Sequence, residues 1–184
     1  FRCVGQQKLG MGHIYRCLTL AYKMIGNDLL FVTDAESTMG IEKLKESFFP
    51  MKVVKDDAEY ESVIKNYAPD IIINDVLDTD EAFVMMEKKY ARRVVNFEDV
   101  GNGALYADAV INALYENHSN KLSNVYEGSD YYFIRDEFLE EKPKEFSEEC
   151  KNIMIMFGGA DPSDLTGRLY EICRLLHDKM PETE

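Results

Sequence analysis

The sequence predicts an α/β fold, a doubly wound parallel sheet flanked by helices. Three observations predict it. Short β-rich runs alternate with amphipathic stretches from the start of the chain to about residue 112. The run Ile71-Ile72-Ile73 is apolar without polar alternation, as a strand buried on both faces requires. Glycines cluster just after the first strand and ahead of the first helix, at the place where such sheets bind ligands.

Taken in order, residues 1–4 read as the end of a strand and residues 5–12 as a glycine-bearing loop. Residues 13–25 read as a helix, because Ile14, Cys17, Leu18, Ala21, Met24 and Ile25 share one face; Gly26 stops it. Residues 29–33 form a strand, 40–47 a helix ended near Pro50, and 51–55 a third strand. A helix over 57–67 is separated by Pro69 from the strand 71–74. A helix over 80–90, a strand over 93–97 and a short strand over 109–112 follow. Strand–helix alternation of this kind gives right-handed crossovers and a parallel sheet.

Residues 139–151 are charged and contain proline, and read as a linker or surface helix. Residues 152–157 read as a strand, 158–163 as a glycine/proline loop, and 164–177 as a helix with Leu165, Leu169, Ile172, Cys173 and Leu176 on its apolar face. One strand-loop-helix unit cannot complete a sheet. It reads as the opening of a second α/β domain. Its strand and apolar stripe are expected to pack on the first domain or on a second copy of the chain. The chain opens at Phe1, inside a strand and without an initiator Met, and is expected to be part of a longer protein.

At 184 residues, 46% hydrophobic and 30% charged, the chain is long and apolar enough to bury a core without disulfides or metals. No apolar run is long enough to span a bilayer, so a cytoplasmic protein is expected. Thirty-four acids against 21 bases give a net charge of −13, which argues against nucleic acid or an anionic membrane as partner. Residues 1–27 are the exception. They carry Arg2, Lys8, Arg16 and Lys23 and no acid, a composition that either chance or an anion site produces. Cys3, Cys17, Cys150 and Cys173 show no C-x-x-C spacing and read as reduced thiols.

Three places could carry chemistry. Leu9-Gly10-Met11-Gly12-His13 leads from the first strand into the first helix, whose N-terminus attracts anions. There His13 would stay neutral and could act as a general base, or simply cap and pack. The segment lacks the Gly-Lys-Ser/Thr of a phosphate loop and the third glycine of a dinucleotide fingerprint. Phe157-Gly158-Gly159-Ala160-Asp161 repeats the strand–turn–helix layout and could hold a diphosphate through backbone N–H groups. The strand-end residues Asn74-Asp75 and Glu98-Asp99, three of them acids, form the third, with Asp78-Thr79-Asp80 beside them. That D-x-D pattern suits a helix cap better than a metal. His118 and His177 read as exposed. The tyrosines of residues 126–133 read as packing more than as a ligand stack.

With these residues in place, the chain resembles a known family. Gly10-Met11-Gly12-His13-Ile14-Tyr15-Arg16-Cys17-Leu18-Thr19-Leu20-Ala21 is similar to the G-x-G-H-x-x-R-C-L-x-L-A signature of the pseudaminic-acid-pathway UDP-sugar hydrolase and of the related spore-coat polysaccharide glycosyltransferase-like proteins. Residues 96–112, 131–138 and 157–166 are similar to three further family segments, in the same order. The resemblance implies the GT-B architecture, two Rossmann-like domains facing across a cleft. Residues 1–138 would be the N-terminal domain, 139–151 a linker and 152–184 the first unit of the C-terminal domain.

It implies a nucleotide-sugar substrate, a UDP-sugar in the family's chemistry, and metal-independent inverting hydrolysis without a cofactor, in bacterial surface-polysaccharide or nonulosonic-acid biosynthesis. His13 would be the base. Gly10, Gly12 and Arg16 would shape or charge the anion end, Asp75 and Asp99 would line the cleft, and Gly158, Gly159 and Asp161 would lie near the diphosphate. Leu77 replaces a family tyrosine, and Glu98-Asp99-Val100-Gly101 replaces Asp-Asp-Leu-Ala, which leans toward the glycosyltransferase-like branch. Transfer to an acceptor, or a non-catalytic domain fused to a CMP-sugar synthetase (a nucleotidyltransferase), are the alternatives. A homodimer is compatible with the unpartnered apolar stripe. The 184 residues alone, holding half a cleft, are expected to turn over little.

Overall fold

A computed structural model describes residues 1–6, 10–114, 122–143, 145–146, 148, 152–158 and 161–179. Among them, strands β1 (Arg2–Cys3), β2 (Phe31–Asp34), β3 (Met51–Val54), β4 (Ile71–Asp75), β5 (Arg93–Phe97), β6 (Ala109–Asn112) and β7 (Val125–Glu127) form one sheet. Its order is β3-β2-β1-β4-β5-β6-β7 and every pairing is parallel. This is the Rossmann-like, doubly wound arrangement the sequence predicts. The order reverses between β1 and β4, which opens a crevice at the carboxyl ends of those two strands.

Helices α1 (Gly12–Lys23) and α2 (Thr38–Glu46) cover one face of the sheet. Ile14, Cys17, Leu18 and Ala21 of α1 and Leu44 of α2 pack there with Cys3 and Phe31. Helices α3 (Asp57–Tyr67) and α4 (Glu81–Glu87) cover the other. There Tyr60, Ile64 and Val84 pack on Val32, Ile72, Val94 and Val110. Both α3 and α4 start on an aspartate. Asp56 accepts from the Glu59 amide and Asp80 from the Phe83 amide, satisfying N–H groups left free in a first turn.

The strand alternation decides which residue meets which helix. Arg2, Asn74 and Asn96 are register partners and face α3 and α4. Cys3 and Asp75 are the next pair along and face α1. Neighbouring residues of β4 therefore enter different environments.

The structure differs from the sequence reading at five places. Helix α4 stops at Glu87 rather than at residue 90, because the Lys89 and Tyr90 amides bond three residues back and tighten the last turn. Strand β7 escapes a pattern search because three residues carry no periodicity. Helix α5 (Asp136–Glu140) straddles residue 138. Residues 152–157 form no strand: among the described residues they pair with no other backbone, and Ile153, Met154 and Met156 stay 71%, 83% and 69% exposed. The stripe of helix α6 (Leu165–Lys179) is not covered by the first 138 residues either, since Leu165, Leu169, Ile172 and Leu176 all remain exposed. Of the two coverings expected for this unit, the first domain supplies none for these four residues among the described ones.

The loop after β4 is clamped to the loop after β5. The Gly103 amide donates to the Thr79 carbonyl, and a Cβ on Gly103 would lie 2.2 Å from the Thr79 hydroxyl and 2.7 Å from the Asp80 carbonyl. Gly103→Ala is expected to cost about 1–3 kcal/mol by overpacking. An unchanged urea midpoint for that variant refutes the clamp.

Candidate functional site

The crevice between β1 and β4 is where the first candidate segment lands. Gly10 adopts φ +80°, a left-handed turn open to glycine, and its amide bonds the Gln6 carbonyl at 2.7 Å. Helix α1 starts at Gly12 with no side-chain cap and no acid in its first turn. Its N–H groups and the positive end of its dipole are left facing the crevice. His13 and Arg16, three residues apart, share one side of the helix.

That side meets Asp75, which is fully buried. His13 Nδ1 lies 2.6 Å from Asp75 Oδ1. Arg16 forks onto the same carboxylate through Nε at 2.6 Å and NH2 at 2.7 Å. The third Arg16 nitrogen donates to Glu98 Oε1 at 3.3 Å. Burial works against the Arg16 charge, but the hydrogen bond and charge of Asp75, with Glu98 behind it, outweigh burial and hold the guanidinium more firmly protonated than usual. A carboxylate only accepts, so Nδ1 of His13 carries a proton toward Asp75, and in the neutral ring the lone pair is on Nε2. Asp75 thus fixes the orientation of the His13 ring.

Cys17 reaches Asp75 with its Sγ at 3.9 Å. Burial, then Cys3 and Asp75, push its thiol well above the ordinary range, so it is a buried thiol and no nucleophile. Cys3, Cys17 and Cys173 are free; Cys150 lies outside the described residues, as do Lys8 and His118.

Asp99 is placed differently from its neighbour. It is 1% exposed and accepts from the Thr79 amide and hydroxyl, Asn96 Nδ2 and the Gly101 amide. It ties two loops together inside the protein, while Glu98 joins the His13 cluster. Asp78 accepts from the Val100 amide and Asp80 caps α4. Among the described residues no group of three or more His, Cys, Asp or Glu is placed to hold a metal.

Gly158, with φ +68°, and Asp161 sit in the turn before α6 and take no part in the His13 cluster. Asp161 accepts from the Leu165 and Thr166 amides, and Thr166 above all holds its carboxyl below the usual range. Gly159 lies outside the described residues.

The sequence singles out His13, Arg16 and Asp75, which the structure brings together; it notes Glu98 at its strand end without a role and expects Asp99 in the cleft, where the structure has Glu98 on Arg16 and Asp99 buried between two loops. Beside Glu98 lies a cavity of about 240 Å³ walled by Gly12, Tyr15, Phe97, Tyr132, Phe133 and Arg135. No helix among the described residues is long and apolar enough to cross a membrane.

No family model matches the chain. An uncharacterized protein of Methanocaldococcus jannaschii is 33% identical over an alignment of 184 positions that covers 91% of this chain and 38% of that protein. The spore coat polysaccharide biosynthesis protein SpsG of Bacillus subtilis is 27% identical over 173 positions, 88% of this chain and 50% of that protein. The chain is a distant homologue of SpsG. It spans half the length of that relative or less of the other. This is the spore-coat side of the resemblance expected from the sequence. No solved structure matches.

Proposed function

We propose that this chain handles a nucleotide-activated sugar, a UDP-sugar in the first instance, in polysaccharide biosynthesis, with His13 as general base. The observation that carries the reading is the pinning of His13 Nδ1 by the buried Asp75, which in the neutral ring leaves Nε2 as the proton acceptor. The distant homology to SpsG supports the polysaccharide setting.

Nε2 takes a proton from water as the water oxygen attacks the anomeric carbon. The bond from that carbon to the diphosphate oxygen breaks, and the nucleotide leaves with the electron pair. Attack from the face opposite the leaving group inverts the anomeric centre. The uncapped N-terminus of α1 is the element suited to the diphosphate. Arg16 is not the free cation it looks like in the sequence, because Asp75 and Glu98 already neutralise it. With an acceptor hydroxyl in place of water, the same base performs transfer.

The test uses the full-length protein carrying this chain, a panel of UDP- and CMP-activated amino sugars, and EDTA in parallel. Nucleotide release is expected from at least one UDP donor, unaffected by EDTA and lowered about a hundredfold or more by His13→Ala. Release that is indifferent to His13, or abolished by EDTA, overturns the proposal. Release that needs an added acceptor assigns transfer.

A further inference from the structure

We infer that Glu98 is a positioning residue for His13, acting through Arg16 and Asp75. The inference rests on the base role proposed for His13. Three observations carry it. First, Glu98 is 6% exposed yet adopts φ +51°, a left-handed conformation costly for a side chain of its kind and kept only where the surroundings enforce it. Second, its carboxylate is held on three sides: Oε1 accepts from the Ala113 amide at 3.1 Å and from Arg16, and Oε2 from the Leu114 amide at 3.2 Å. Third, among the described residues the side chain it grips is Arg16, which passes its other two side-chain hydrogen bonds to Asp75, the residue that holds His13.

The left-handed turn turns Glu98 out of the strand alternation and toward α1. The exits of β4, β5 and β6 are thus linked to the first turn of α1 by one series of charge-assisted hydrogen bonds. The series has an electrostatic consequence. Arg16 against Asp75 alone is a neutral pair, and Asp75 then has little charge left to offer the His13 ring. Glu98 supplies a second negative charge, so the cluster faces His13 with a surplus. It also fixes the guanidinium plane, so that Asp75 keeps Oδ1 turned to Nδ1. Groups that orient a histidine from behind its direct partner have measurable effects on function.

The test reads the His13 ring itself. Two-bond nitrogen–proton correlations of the imidazoles report which ring nitrogen carries the proton, and the His13 signal is assigned by its disappearance in His13→Asn. The unsubstituted protein is expected to show the proton on Nδ1. Glu98→Ala is expected to give a mixture of both tautomers and about a tenfold loss of nucleotide release in the full-length protein. Glu98→Gln, whose single amide oxygen can keep one of the Ala113 and Leu114 amides but not both, is expected to fall between the two.

A purely structural Glu98 lowers the midpoint and leaves the His13 tautomer alone; that result overturns the inference. If Glu98→Ala does not fold, Glu98→Gln decides: an unchanged His13 signal overturns it. Asp75→Asn, expected to shift the tautomer in either case, shows that the signal responds. Should the tautomer move in the Glu98 variants while release is indifferent to His13, the positioning stands and the base role falls.

Discussion

Asp75→Ala is expected to lower stability by about 3 kcal/mol and to remove activity in the same step. Asp75 has no exposed surface, and the Arg16 side chain is 15% exposed. Removing the carboxylate leaves a guanidinium that has lost two of its three bonds in a place where water reaches it poorly. Breaking a buried ion pair from one side costs roughly 3–5 kcal/mol, and the residual exposure of Arg16 puts this case at the lower end. For a chain of this size the thermal midpoint should fall by about 6–12 °C. The same change frees the His13 ring. Urea unfolding and nucleotide release, measured on one preparation, check both parts. A loss below about 1 kcal/mol shows that Arg16 finds other partners and that the fork onto Asp75 is not what holds it.

The second large effect is a pH dependence centred on Glu87. This residue closes α4 and has no exposed surface. Tyr60 Oη donates to one of its oxygens and Asn74 Nδ2 donates to the other at 2.7 Å. Burial raises its pKa to about 7, against the opposing pull of the Tyr60 and Asn74 hydrogen bonds and of Arg2. In the unfolded chain the same carboxyl titrates near its ordinary 4.5. Between these values the folded protein keeps a proton that the unfolded chain has released. Its contribution is complete below pH 4.5, falls as the pH rises, and is gone above about 7. The loss amounts to roughly 3 kcal/mol. Glu87→Gln keeps the shape and cannot ionise, so its unfolding free energy should lack this slope. Parallel pH profiles for the two proteins between pH 5 and 8 would sink the assignment.

How far the sequence discloses this protein varies from element to element. Helix α3, strand β5 and strand β6 lie at their expected positions because local chemistry bounds them: Asp56 caps, Pro69 separates, and β-branched residues fill the strands. His13 and Arg16 could be paired by helical spacing alone. The role of Glu98 could not, because counting along a strand assumes regular backbone and Glu98 leaves it at φ +51°. Glu87 was equally hidden. An acid on a short helix reads as solvated, and what buries it comes from Tyr60 on α3, Arg2 on β1 and Asn74 on β4, all distant in the chain. Residues 152–157 show the reverse error, since their composition suits a strand but pairing needs a neighbour.

Asn74 and Asp75 are adjacent in β4 and serve opposite faces, the first inside a sealed polar seam under α3 and α4, the second at the crevice under α1. One peptide unit thus partitions the molecule into two compartments that share a wall and no side chains. Substitutions around His13 can retune the crevice for a different nucleophile or donor without touching the seam. The seam can drift for stability without disturbing the crevice. Only an insertion or deletion within β4 exchanges the two, turning Asn74 toward His13 and a carboxylate toward Glu87, and such a change would be lethal to fold and chemistry together.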